Sequence, residues 1–169
     1  MLFRSKHTFD LWVARTVEAG GAAPPRWAGL KFFNVYGPNE FHKGSQASLV
    51  PQIYERARKG EPYSLFRSHN PDYADGAQAR DFIFVEDCCD AMIWLMDEAR
   101  TSGLFNLGTG KARAFRDLAA AVYASAHQPL AITFRDTPQD IRAQYQYFTQ
   151  ARMERLRAAG YAKPFASLE

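Results

Sequence analysis

Lys43 stands alone as a cation in a polar turn, between His42 and Gly44, with Ser45 close behind. It closes the stretch FFNVYGPNEFHKGSQAS at 32–48, whose first half is apolar and β-prone. An ammonium held beyond a strand end can bind an anion or carry a proton, and Asn34 can both give and take hydrogen bonds. The strand reads as a rigid platform that aims Asn34, Lys43 and Ser45 at a ligand. GTGK at 108–111 offers a second chemistry, phosphate binding by a glycine turn. It fails the fuller pattern: Phe105 stands where the P-loop has its first glycine, and Ala112 follows the lysine. GTG is also followed by Lys-Ala-Arg, so the dinucleotide fingerprint GxGxxG is not met. We read it as a plain strand-to-helix turn.

The elements that would position these groups alternate. Helical spacing marks 5–18, where Phe9, Leu11, Trp12, Val13 and Val17 share a broad apolar face. A near-continuous apolar strand at 30–36 predicts burial on both faces, as in a parallel sheet. A helix follows from Ser45 or Ser48 to about Lys59, then a short strand at 63–66 and a polar loop at 68–78. DFIFV at 81–85 is a strand; Asp87 is set to cap a helix running to Glu98. Strand 103–107, helix 115–126, strand 131–134 and a last helix capped by Thr149 and closed by Gly160 complete the chain. Alternation of this kind means α/β architecture, and ligands in such sheets sit beyond the carboxyl ends of the strands. Those ends are NVYGP, VED and LGTGK.

Bulk properties set the frame. With 169 residues, 47% hydrophobic and 14% aromatic, the chain has ample material for a core. Its 21 basic and 18 acidic residues nearly balance, which argues against a nucleic-acid partner. No apolar run approaches the length of a membrane span. The two cysteines, Cys88 and Cys89, are adjacent, so neither a bridge between them nor a metal site is expected, and a reducing, cytoplasmic compartment fits.

Four stretches taken together, FFNVYGPNEFHKGSQAS, RDFIFVEDCCDAMIWLM, LFNLGTGKARAFRDLA and QYFTQARMERLRAAGYAKP, resemble the nucleotide-sugar epimerases of the extended short-chain dehydrogenase/reductase superfamily. The narrower motifs, around HKGS and in the last stretch, resemble the ADP-L-glycero-D-manno-heptose 6-epimerase family. The resemblance implies the C-terminal part of a Rossmann-like parallel sheet with a smaller α/β substrate-binding domain. It runs from Ser5 to Phe165 and implies that residues 1–169 are the C-terminal portion of such an enzyme, without the N-terminal dinucleotide-binding half. An isolated chain of this kind is expected to be inactive and prone to self-association through an open sheet edge.

The resemblance further implies inversion at C6 of an ADP-heptose through oxidation and re-reduction by NADP, with NAD as the alternative, in making lipopolysaccharide core precursors. Lys43 matches a catalytic acid–base residue. Lys6 and Val35 match cofactor contacts, and Leu2 stands where the family has its catalytic tyrosine. Asn34, Ser45, Gln52, Phe66, Arg67, Ser68, His69, Arg80 and Tyr145 match substrate contacts, with Gln52 in place of the family's histidine. The complete enzyme is expected to be a homo-oligomer. Read without the resemblance, Ser45 is a helix cap, Arg80 an ion-pair partner of Asp81 or Asp87, and Tyr145 a packing aromatic. A non-catalytic module that binds a nucleotide sugar or a partner chain is the competing reading.

Overall fold

The computed structural model describes residues 2–169. Helix α1 is Leu2–Glu18. It is followed by strands β1 (Ala28–Phe32) and β2 (Asn34–Tyr36), a 3₁₀ turn at Phe41–Gln46, and helix α2 (Leu49–Ala57). Then come β3 (Tyr63–Phe66), β4 (Ala79–Phe84), α3 (Val85–Asp97), β5 (Gly103–Leu107) and β6 (Ala112–Ala114). The chain finishes with α4 (Phe115–Ser125), β7 (Ile132–Arg135), α5 (Gln139–Arg142) and α6 (Glu154–Ala158). The side chain of Leu2, expected to stand in place of a catalytic tyrosine, lies outside the described residues.

The expected strand 30–36 is divided. β1 runs parallel to β5, from Ala28 opposite Gly103 to Phe32 opposite Leu107. At Phe33 the chain changes neighbour, and β2 runs parallel to β4, with Asn34 opposite Phe82. β6 lies antiparallel on the outer side of β4, and β3 pairs in parallel with β7. Burial on both faces is not reached in β1, where Phe32 is 49% exposed. The reason is that Phe32 packs into neither apolar core of the described residues.

Strand alternation in β4 feeds two cores. Ile83 joins Cys88, Leu95, Leu107, Leu156 and Tyr161 on one side. Phe82 joins Ile53, Ala57, Leu118, Val122 and Tyr123 on the other. Helices α3 and α6 therefore cover one face, and α2 and α4 the other, as a parallel sheet requires. In α2 and α4, Ile53/Ala57 and Leu118/Val122 recur at four-residue spacing, so each helix presents one apolar stripe.

Three expected boundaries move, each for a hydrogen-bonding reason. Helix α3 begins at Val85, so Asp87 falls in its first turn, and its carboxylate accepts the N–H of Ala166 at 2.8 Å. Ser48 holds the N-cap position of α2, but its hydroxyl donates to Glu40 instead of capping. No helix starts at Thr149. The N–H of Thr149 donates to Ala79 O at 3.2 Å and that of Ala151 to Asp81 Oδ2 at 3.0 Å, so this backbone is committed to β4. Helix α6 starts only at Glu154 and ends as expected, with Gly160 at φ +110°.

Burial pushes the Cys88 thiol up to about 12, with Cys89 and Asp87 adding to the rise, while Cys89 is exposed. A thiol reacts as its thiolate, so at pH 8 Cys88 stays protonated and inert. Titration of the native chain with DTNB is therefore expected to show one fast thiol, and two in denaturant. Two fast thiols in the native chain would contradict this burial.

Candidate functional site

The change of neighbour at Phe33 opens a crevice between the paired strands and α2. A pocket of about 440 Å³ forms there, lined by Asn34, Val35, Glu40, Lys43, Phe82 and Phe115 among others. Val35 is fixed by β2, its N–H donating to Phe33 O at 2.9 Å. Gly37 begins the next turn because any Cβ would lie 2.3 Å from Val85 Cγ1.

Glu40 organises this turn. Its carboxylate is buried and accepts the N–H of Gly37 at 3.2 Å, the N–H of Ser48 at 2.9 Å and the Ser48 hydroxyl at 2.7 Å. Burial pushes its pKa up, but the Ser48 and Gly37 hydrogen bonds and the nearby Lys43 outweigh that and leave it below the ordinary value. Lys43 Nζ sits 3.6 Å from Glu40 Oε2. The pair holds the Lys43 side chain at the pocket wall.

A second set of groups adjoins the pocket through Phe115. The Arg80 guanidinium lies 5.5 Å from the Phe115 ring centre and 5.6 Å from that of Tyr145. Tyr145 meets Phe66 edge-on at 6.1 Å, and Arg135 lies 4.8 Å over the Phe66 ring. Arg80 Nη1 donates to Ala79 O at 2.9 Å, and Nη2 donates to Gln146 O. Two of five guanidinium N–H groups are thus used on the backbone, and the residue is 9% exposed. Burial lowers the Arg80 value and raises that of Tyr145, so near neutral pH the pair is a cation against a neutral phenol.

The ion pair between Arg80 and Asp81 or Asp87 does not form. Alternation along β4 sends Asp81 to the opposite side. There its fully buried carboxylate accepts the N–H of Thr109 at 2.7 Å, the Thr109 hydroxyl at 2.7 Å and the N–H of Gly110 at 2.9 Å. The GTG turn therefore does cradle an anion, but the anion is the protein's own. A Cβ on Gly108 would sit 2.7 Å from Asp81 Oδ2, and Gly110 needs φ +78°. The turn leads into β6 before α4, not directly into a helix.

The other expected residues are dispersed. Lys6 is exposed on α1 and does not line the pocket. Ser45 is exposed in the 3₁₀ turn. Gln52 donates through Nε2 to Ala47 O at 2.9 Å and Ser48 O at 3.3 Å, which spends its amide on the backbone. Arg67 is exposed, and its carbonyl accepts the Thr137 hydroxyl. The Ser68 hydroxyl donates to Asn70 O at 2.8 Å, and His69 Nε2 accepts from Thr137 N at 3.3 Å. Sequence reasoning missed Glu40, Phe115 and Tyr147. For Glu40 a signal existed: a carboxylate directly after the turn formers Gly37, Pro38 and Asn39, three residues before the lysine.

Among the described residues, no cluster of His, Cys, Asp or Glu could hold a metal ion, and no helix is long and apolar enough to cross a membrane. The family model of the NAD dependent epimerase/dehydratase family matches residues 3–108. A relative from Nitratidesulfovibrio vulgaris (strain DP4), named ADP-L-glycero-D-manno-heptose-6-epimerase, is 46% identical over 165 residues, 98% of this chain and 50% of its own length. One of the same name from Fusobacterium nucleatum subsp. nucleatum is 40% identical over 171 residues, again 98% and 50%. The chain spans about half the length of the curated relatives it matches. The crystal structure of the Helicobacter pylori ADP-L-glycero-D-manno-heptose-6-epimerase superposes with a TM-score of 0.69 at 29% identity, over 85% of this chain and 41% of that one. Thermus thermophilus UDP-glucose 4-epimerase, solved with NAD, gives 0.73 at 24% identity over 94% and 47%, a likeness of fold.

Proposed function

Since this chain belongs to the NAD-dependent epimerase/dehydratase family, we propose that it is the substrate-binding portion of an ADP-heptose 6-epimerase. The observation that carries this reading is the joining of two sets of groups across Phe115. One set, Asn34 and Lys43, can handle sugar hydroxyls and a proton. The other, Arg80 with Tyr145 and Phe66, can take a diphosphate and a base. Similarity to relatives named for ADP-heptose supports the choice of nucleotide and sugar.

In this reading a nicotinamide dinucleotide, NADP or alternatively NAD, supplies hydride removal and return. Val35 at the pocket wall and the exposed Lys6 on α1 are the groups this chain would offer it. Oxidation at C6 frees the proton of the C6 hydroxyl, and reduction from the other face returns one to the oxygen. The oxygen occupies different positions in the two epimers, so each needs its own proton-carrying group. Lys43 serves one of them. Asn34 orients the sugar, and Arg80 neutralises the diphosphate with its unused N–H groups. The whole enzyme, a homo-oligomer built from this portion and a dinucleotide-binding half, would furnish heptose for lipopolysaccharide core synthesis in the cytoplasm.

The test joins this chain to the N-terminal half of the Nitratidesulfovibrio relative and follows C6 inversion of an ADP-heptose by NMR. Inversion is expected. A folded fusion that holds its dinucleotide yet leaves ADP-heptose unchanged would overturn the reading.

A further inference from the structure

The ring row at the nucleotide end does not stop at Tyr145. Tyr145 meets Tyr147 edge-on, with centres 5.4 Å apart, and Tyr147 meets Tyr73 at 5.2 Å. Neither Tyr73, Tyr145 nor Tyr147 belongs to either apolar core, so this row is not core packing. Tyr147 is held from two sides. Its carbonyl accepts the N–H of Ala79, the residue before Arg80, at 2.8 Å. From the other side loop 67–78 grips it twice: the N–H of His69 donates to the Tyr147 hydroxyl at 2.9 Å, and the Tyr73 ring packs on its ring.

The loop is itself a built object. Asp75 Oδ1 accepts the N–H of Ser68 at 2.7 Å, which closes the loop on itself. Asn70 Oδ1 accepts the N–H of Asp72 at 3.0 Å. Gly76, at φ +77°, anchors its end by accepting the N–H of Arg116 on its carbonyl at 3.1 Å. Tyr73 is the single Phe, Tyr or Trp between 67 and 78, and the ring it meets is Tyr147.

We propose that Tyr73 is a positioning residue for the nucleotide end of the site. Acting through Tyr147, it holds Tyr145 beside Arg80, so that a purine base meets a ring already set next to the cation that takes its diphosphate. The proposal rests on the nucleotide-sugar reading above. A base that binds a pre-set ring loses less freedom on binding than one that must order it.

The experiment is calorimetric titration of the full chain with ADP and with inorganic pyrophosphate, for the wild type, Tyr73→Ala and Tyr73→Phe. The wild type is expected to bind ADP more tightly than pyrophosphate. Tyr73→Ala should lose about fivefold in ADP affinity with pyrophosphate unchanged, and Tyr73→Phe should restore it. A purely structural role would weaken both ligands alike, and that result overturns the proposal, as does an unchanged ADP affinity. Tyr147→Phe keeps the ring but removes the acceptor for the His69 N–H, and serves should Tyr73→Ala fail to fold. It is expected to lose about threefold for ADP alone, and no loss there also overturns the role of the loop. A wild-type chain that binds ADP no better than pyrophosphate sinks the nucleotide-sugar reading itself. A wild type that prefers ADP, with variants that prefer it equally, sinks only the positioning role.

Discussion

Asp81→Ala is expected to cost about 4 kcal/mol of stability, a large share of what a domain of this size has. Its carboxylate is fully buried and takes four hydrogen bonds, from the N–H groups of Thr109, Gly110 and Ala151 and from the Thr109 hydroxyl. Truncation leaves those donors inside the protein without an acceptor, and each buried orphan costs about 1–3 kcal/mol before relaxation. Asp81→Asn should fall between, at about 2 kcal/mol, because one amide oxygen can still serve one side while its NH2 faces donors on the other. Gly108→Ala attacks the same joint sterically, with its new Cβ 2.6 Å from that of Ala151. Urea titration measures all three through the shift in midpoint. A wild-type midpoint for Asp81→Ala would mean that the carboxylate does not hold the turn.

The second large effect concerns turnover. In the completed enzyme, Lys43→Ala is expected to lower kcat by about 10²–10⁴, the usual range for a positioned proton donor or acceptor. Dinucleotide binding should be unchanged, since Lys43 reaches the pocket from the 3₁₀ turn and not from α1 or β2. KM should move little if Arg80 and the rings carry substrate affinity. Near-normal turnover would remove Lys43 from the chemistry. An equal loss from Glu40→Gln, with Lys43 intact, would show that the pair acts as one unit.

Much of the fold was legible because the sheet is parallel and its strands are apolar runs set between amphipathic helices. Tyr63–Phe66 and Gly103–Leu107 have the expected bounds. Gly160 ends α6 in the expected left-handed backbone. What sequence periodicity could not reveal was pairing. The run 30–36 reads as one strand, yet its two halves have different neighbours, because β5 and β4 flank it at different heights. Likewise the helical spacing of 149–153 was overridden by backbone hydrogen bonds to β4, a long-range commitment that local pattern does not carry.

At the candidate site, Asn34, Val35 and Lys43 were visible as neighbours in sequence and are neighbours around one pocket. Arg80, Phe66 and Tyr145 come from three separate elements, and only a family motif could have grouped them. Glu40 and Asp81 illustrate the blind spot. Both are acidic residues that composition assigns to the surface, and both are buried where backbone N–H groups converge on them. Only the fold shows that convergence.

The clasp around Asp81 also sets a timetable for synthesis. A chain made from its N-terminus presents Asp81 first, then the Thr109 and Gly110 donors, and Ala151 only 70 residues after the aspartate. At about 5–20 residues per second, the last donor arrives roughly 4–14 s after the carboxylate it will bind. Until then the carboxylate lacks one of its four donors. The clasp on β4 is therefore completed only by the segment that also brings Tyr145 and Tyr147. The aromatic end of the site and the last lock of the fold arrive on the same stretch of nascent chain.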